Sequence, residues 1–252
     1  MSPEDKELIK VIGADLGVRA ILVEKDWLAI RLLATLSKVE QGDFRPIFSG
    51  GTSLSKGYGL IQRFSEDLDF KMKFPSKVTR SQRSVYRKRV VEAIRAANME
   101  WILEDENILV GNQSQFFSLQ VVYQSAFTPI AGLRPYLKLE LTFTPPVFPC
   151  ELKSISSFVA QAKGESPEVA FMPCVAAVET AADKLSALTW RVLSRKRGSE
   201  ADDPTLIRHL YDLAALEEEV ASNKDFSSLV KILLEKDAGR GKPREDIQKM
   251  EI

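Results

Sequence analysis

The sequence predicts an α+β fold: a mixed sheet with flanking helices in the first part of the chain and a helical region behind it. Three observations carry that prediction. Apolar residues recur at helical spacing up to Val39, runs rich in aromatic and β-branched residues follow at spacings suited to an antiparallel sheet, and helical periodicity returns from Val175 to about Glu235. Strands and helices so segregated suggest two halves, 1–150 bearing the sheet and 151–252 mainly helical, with a polar tail from about 237 that is too glycine-punctuated to pack by itself.

Leu8, Ile9, Ile12 and Leu16 mark a first helix. A second runs from about Val23 to Val39, with Trp27, Ile30, Leu33 and Ala34 as its apolar stripe and Gly42 closing it; Glu24 to Asp26 reads as its surface turn, without chemistry. "RPIFSGGTSL" gives a short buried strand, Pro46 to Ser49, that breaks at the glycine pair into a helix starting near Thr52. "DLDFKMKF" is a strand, Pro75 ends it, and a basic helix spans about Thr79 to Ala97. "MEWILED", "FFSLQVVYQ" and "YLKLELTF" are three further strands. Asp203 before Pro204 starts a late helix on which Leu206, Leu210 and Leu213 face inward and Asp212 faces away.

The totals restrict the partners. Lysine plus arginine and aspartate plus glutamate are 35 each, so a polyanion must be drawn by local patches and not by net charge. No apolar run is long enough to span a bilayer, and "MSPEDKELIK" lacks the plan of a secretory signal. Cys150 and Cys174 fit a reducing compartment and lack metal-site spacing, so the expected location is cytoplasmic. One histidine, His209, gives no support to a nucleophilic triad.

The chemistry concentrates in "RFSEDLDF". Side chains two apart on a strand share a face, so Asp67 and Asp69 point the same way, and carboxylates held that close call for a hard divalent cation between them. Just upstream, Ser49, Gly50, Gly51 and Thr52 lie between a strand and a helix start, where bare amides cradle phosphates and glycines admit a close ligand; Thr52 adds a hydroxyl to the same anion or caps the helix. A phosphate cradle and an acid pair joined by one helix suit a magnesium- or manganese-nucleotide site. In "YLKLELTF", Lys138 and Glu140 share the face opposite three leucines; Glu140 is a candidate third acid, and the same pattern also fits the wet side of an ordinary half-buried strand.

"SGGTSLSKGYGLIQRFSEDLDF" resembles the signature of the AbiEii (abortive-infection) toxin family, whose members have the nucleotidyltransferase fold of the DNA polymerase β superfamily. Gly50, Gly51, Thr52, Tyr58, Arg63, Ser65, Asp67 and Asp69 occupy the family's places. "EKDW" at 24–27 is similar to its N-terminal helix, "ADKLSALTWR" to its lysine motif with Lys184 as the functional lysine, and "RHLYDLAAL" to its late acidic segment with Asp212 in the second acidic place; His209 stands where the first acid is expected. The resemblance implies a nucleotidyltransferase-like sheet and transfer of a nucleoside monophosphate from an NTP to an acceptor hydroxyl, with pyrophosphate released. Asp67 and Asp69 would hold the metal, Ser49 to Thr52 with Arg63, Ser65 and Lys184 would bind the nucleotide, and Asp212 and Glu140 would complete the catalytic set. It further implies a toxin with a separately encoded antitoxin and, since some members modify its 3′ end, tRNA as acceptor. A protein or small-molecule acceptor, or a silent nucleotide-binding regulatory module, is the alternative.

Two basic rows suit an RNA backbone: Arg80, Arg83 and Arg87 on the helix after Pro75, and Arg191 and Arg195 in line with Lys184 on the helix from Val175, beside an apolar stripe of Val178, Ala181, Leu185 and Val192. Both rows equally suit solvated helix faces.

Overall fold

The structure, a computed structural model, describes residues 1–75, 77–97, 99–194 and 206–238. Two compact units divide the chain, Met1–Pro146 with Cys150–Val175, and Val147–Pro149 with Ala176–Ile252. The first holds α1 (Pro3–Asp15), α2 (Ala20–Ser37), β1 (Arg45–Ser49), α3 (Gly50–Lys56), β2 (Asp67–Lys73), α4 (Arg80–Ala96), β3 (Trp101–Ile102), β4 (Ile108–Gly111), β5 (Phe116–Tyr123), β6 (Tyr136–Thr142), β7 (Glu151–Ile155), α5 (Phe158–Lys163) and β8 (Val169–Cys174). The sequence division at 150 therefore falls too early: β7, α5 and β8 complete the sheet, because β8 pairs with both β1 and β7.

One sheet runs in the order β3-β5-β6-β2-β1-β8-β7, with β4 added beside β5. It is mixed as expected. β2 lies antiparallel to β1 and parallel to β6, a parallel step that the antiparallel reading of the strands did not foresee. Strand alternation decides what each face carries. Leu68, Phe70 and Met72 of β2 and Leu137, Leu139 and Leu141 of β6 are buried in one core with Ile30 and Leu33 of α2 and Val90 and Ile94 of α4. Each such side chain contributes roughly 1.5–3 kcal/mol on leaving water. The polar side chains of the same strands are thereby committed to the opposite face. α4 starts where expected, with a reciprocal cap in which Thr79 Oγ1 accepts from Gln82 N and Gln82 Oε1 accepts from Thr79 N.

Some boundaries move. α2 ends at Ser37, and Gly42, with φ +55, serves the turn into β1 instead of the helix end. "MEWILED" yields only a two-residue strand, β3.

The second unit contains α6 (Ala177–Ser194), α7 (Leu206–Ala215), α8 (Glu217–Ala221) and α9 (Phe226–Ala238). Its core joins Ala182 of α6 to Leu229, Val230, Leu233 and Leu234 of α9. The inward face expected for α7 holds only in part: Leu206 and Leu213 are half-buried, but Leu210 is 51% exposed and Asp212 is fully buried. Val192, read as part of an apolar stripe, is likewise exposed. Arg195 and the residues from 239 on lie outside the described residues.

Candidate active site

The register of the sheet gathers the predicted acids of the first unit. Asp69 of β2 has Ser49 of β1 as its partner on one side and Glu140 of β6 on the other, while Asp67 faces Lys138. Asp67, Asp69, Lys138 and Glu140 thus share the half-exposed face.

The glycine pair is packed against this acid strand. Gly50 opens α3 at φ +74, a conformation glycine tolerates, and a Cβ there would lie 2.2 Å from Asp69 Oδ2. At Gly51 a Cβ would meet Ser65 Oγ at 2.8 Å and an Arg63 guanidinium nitrogen at 2.9 Å. The spacing from the glycines to Arg63, Ser65 and the acid pair is therefore a steric match between two touching segments. Thr52 adds to it from beneath: its Oγ1 donates to the Asp67 carbonyl at 2.5 Å and bonds Ser65 Oγ at 3.0 Å. That hydroxyl does not cap α3 and here braces the acid strand.

Each acid has a neighbour of fixed charge or shape. Arg134 Nη2 lies 2.6 Å from Asp67 Oδ1, and Lys138 Nζ lies 2.7 Å from Glu140 Oε1. Among the described residues, no group of three or more His, Cys, Asp or Glu side chains is gathered round a common point. As a donor set, the paired carboxylates Asp67 and Asp69 suit a hard divalent cation, whereas Glu140 is tied to its lysine.

Sequence reasoning missed the support behind this face. Glu24, Lys25 and Asp26, read as a surface turn, are all buried. Consecutive helical residues point about 100° apart, so the three reach three different segments. Glu24 accepts from Ala126 N at 2.7 Å and from the Ser125 hydroxyl. Lys25 Nζ donates to Glu66 Oε2 at 2.6 Å and to the Arg134 carbonyl at 2.5 Å. Asp26 pairs with Lys56 Nζ at 2.5 Å and accepts from Phe158 N at the start of α5. Burial pushes the Asp26 carboxyl above its ordinary value despite Lys56, and pushes the Lys25 ammonium below its own against the pull of Glu66. Burial also raises Glu66, but Lys25 and Arg134 outweigh it and hold this carboxyl low. The available signal was the apolar sequence on every side of α2, since a helix hydrophobic all round is interior and its charges must be paired.

In the second unit Lys184 Nζ lies 2.6 Å from Asp212 Oδ2, with the lysine 10% exposed and the aspartate not at all. This is a buried pair in place of the exposed Arg208 pairing that helix spacing offers for Asp212. Arg191 Nη1 is 3.0 Å from His209 Nε2, so the histidine standing at the family's first acidic place meets a cation. The other basic row is only partly exposed. Arg80 is exposed, but Arg83 is half-buried, donating to the carbonyls of Val78 and Gln113, and Arg87 bonds Ser84.

A mixed sheet that sets an acid pair against a glycine turn, with a helix leading from one to the other, defines the nucleotidyltransferase class. The chain belongs to the AbiEii family: residues 31–251 match the family described as nucleotidyl transferase AbiEii toxin, type IV TA system. MenT4, a nucleotidyltransferase toxin from Mycobacterium tuberculosis, has a similar solved structure, with a TM-score of 0.53 and 20% identity over 96% of this chain and 92% of that one. That likeness is one of fold. No curated protein sequence matches this chain. Family membership makes it a nucleotidyltransferase of a type IV toxin–antitoxin system, a class that implies an NTP substrate and an antitoxin partner. Among the described residues, no helix is long and apolar enough to cross a membrane.

Proposed function

We propose that the protein transfers a nucleoside monophosphate from an NTP to the 3′-terminal hydroxyl of tRNA, with a divalent metal held by Asp67 and Asp69. The observation that carries this reading is the contact between Gly50 and Asp69, where the missing Cβ lets the acid strand and the glycine turn close on one another. Amides of a glycine turn suit phosphate oxygens, and carboxylates beside them suit the cation that accompanies a triphosphate. A bound magnesium or manganese ion would neutralise charge on the phosphates and on the leaving pyrophosphate.

The residues of the chain divide the remaining work. Gly50 and Gly51 orient the triphosphate, Arg63 and Ser65 fix the turn, and the acceptor oxygen attacks the α-phosphorus as the bond to the bridging oxygen of pyrophosphate breaks. Lys184, paired with Asp212, neutralises phosphate charge, a role supported by the family's lysine motif and by the 2.6 Å pair. Glu140 keeps its partner Lys138 in place on the same face and is the third acid of the set. RNA is favoured as acceptor by the exposed cations Arg80 and Arg191, with Arg83, Arg87 and the sequence-predicted Arg195 extending their rows. The cytoplasm, where tRNA and NTPs are found, is the matching compartment.

Incubation with each labelled NTP, magnesium and total RNA tests the proposal. Label is expected in the tRNA band, with acceptor affinity falling steeply as salt rises. Label in protein or in a small molecule, flat in salt, replaces the RNA acceptor with one of those; no label in any fraction favours a silent nucleotide-binding module.

A further inference from the structure

A cation is built into the acid face at the place where a metal ion would be sought. Arg134 forks between two carboxylates, with Nε and Nη2 on Glu66 Oε1 at 3.1 and 3.0 Å and Nη2 on Asp67 Oδ1 at 2.6 Å. Its aim is set from behind. The buried Lys25 ammonium holds Glu66 Oε2 and the backbone carbonyl of Arg134 itself, so one group grips both the arginine's counter-ion and its main chain. A surface arginine pairs with an acid for little gain and swings away readily. This one is fixed by a fully buried anchor. Lys138 likewise holds Glu140, so Glu66, Asp67 and Glu140 each already carry a cationic partner: Lys25 and Arg134 for Glu66, Arg134 for Asp67 and Lys138 for Glu140. Divalent-ion affinity follows the uncompensated ligand charge and the freedom of the ligand oxygens, and both are reduced here at Asp67.

We propose that Arg134, braced by Lys25 and Glu66, is an internal counter-cation that competes with divalent metal for Asp67 and keeps metal binding to the nucleotide-free protein weak. The inference rests on the reading of Asp67 as a metal ligand. Its effect is that metal is taken up chiefly when nucleotide phosphates bring further negative charge to the face.

Direct titration of the full chain with Mn2+, followed by the electron paramagnetic resonance signal of the free ion and without nucleotide, tests this. Arg134→Gln leaves Glu66 paired with Lys25 and is expected to tighten Mn2+ binding about tenfold. Arg134→Lys keeps the charge but cannot fork between two carboxylates, and a smaller gain of about threefold is expected; it also serves if the glutamine variant does not fold. Unchanged or weaker binding in the folded variants overturns the proposal. Asp67→Asn, titrated alongside, separates the two claims. If it leaves Mn2+ binding as it was, Asp67 is not a ligand and the underlying reading fails; if it weakens binding while the arginine variants do not tighten it, only the counter-cation is refuted.

Discussion

Residues 24–26 and 66–69 are both short runs rich in acid, yet the first is sealed in the interior while the two aspartates of the second stand half-exposed on a sheet face. The difference lies in the backbone that carries them. On α2, successive side chains fan round the helix, so Glu24, Lys25 and Asp26 each dock with a separate segment and tie three of them to one axis. On β2, alternation sends Asp67 and Asp69 to one side and Leu68 to the other, so the acids are collected instead of dispersed. Dispersed charges hold a fold together; collected ones repel and are kept for a ligand.

The largest effect that would break this contrast belongs to Asp69. Asp69→Asn is expected to lower nucleotide transfer by roughly 10^3-fold or more while leaving the urea unfolding midpoint in place, as activity and denaturation measured on one preparation will check. Lys25→Ala should show the reverse priority. It leaves Glu66 and the Arg134 carbonyl without their buried donor, at a cost of about 3–5 kcal/mol in unfolding free energy. Lys184→Ala joins both classes: turnover falls, and because Asp212 is wholly buried, stability falls by a similar about 3–5 kcal/mol, whereas an exposed lysine would have cost little.

A finer test uses pH. Glu66 is held below its ordinary value of 4.5, so the stability it contributes is complete above that value and is lost as pH falls through the lowered one. The gap between wild type and Glu66→Gln, about 2–3 kcal/mol at pH 7, should therefore narrow on acidification, read by urea unfolding at neutral and acid pH. A gap independent of pH would place the stabilisation in packing. The smallest expected change in unfolding free energy, read by urea unfolding, is that of Gly50→Ala. Its methyl would press on Asp69 Oδ2 in a backbone conformation alanine resists, costing about 1–3 kcal/mol and, more tellingly, displacing one acid of the pair.

The strand bearing the acids, the glycine turn and the capped start of α4 were legible because each is governed by local periodicity or a local hydrogen bond. Arg134 was not, because "AGLRPY" carries no periodic signal and its partners lie 67 and 68 positions away in sequence. Asp212 was placed on the wrong side of α7 for a related reason: helical spacing offered Arg208 as partner, while Lys184, on another helix, is the one it meets. β7 and β8 escaped because Leu152 and Phe171 are exposed, which blurs the alternation that marks a strand. Long-range charge pairing is the common element in the first two cases, and spacing within one segment cannot express it.

The order of the sheet also bears on synthesis. β2 is made early, but its neighbour β6 ends only at Thr142, and β1 finds its second partner through Phe48 and Cys174. A chain emerging from the ribosome therefore carries the glycine turn and both aspartates long before the strands that frame them exist. The topology thus acts as a delay line: a nascent chain holds the glycine turn and both aspartates without β6 and β8 until residues 142 and 174 have been made.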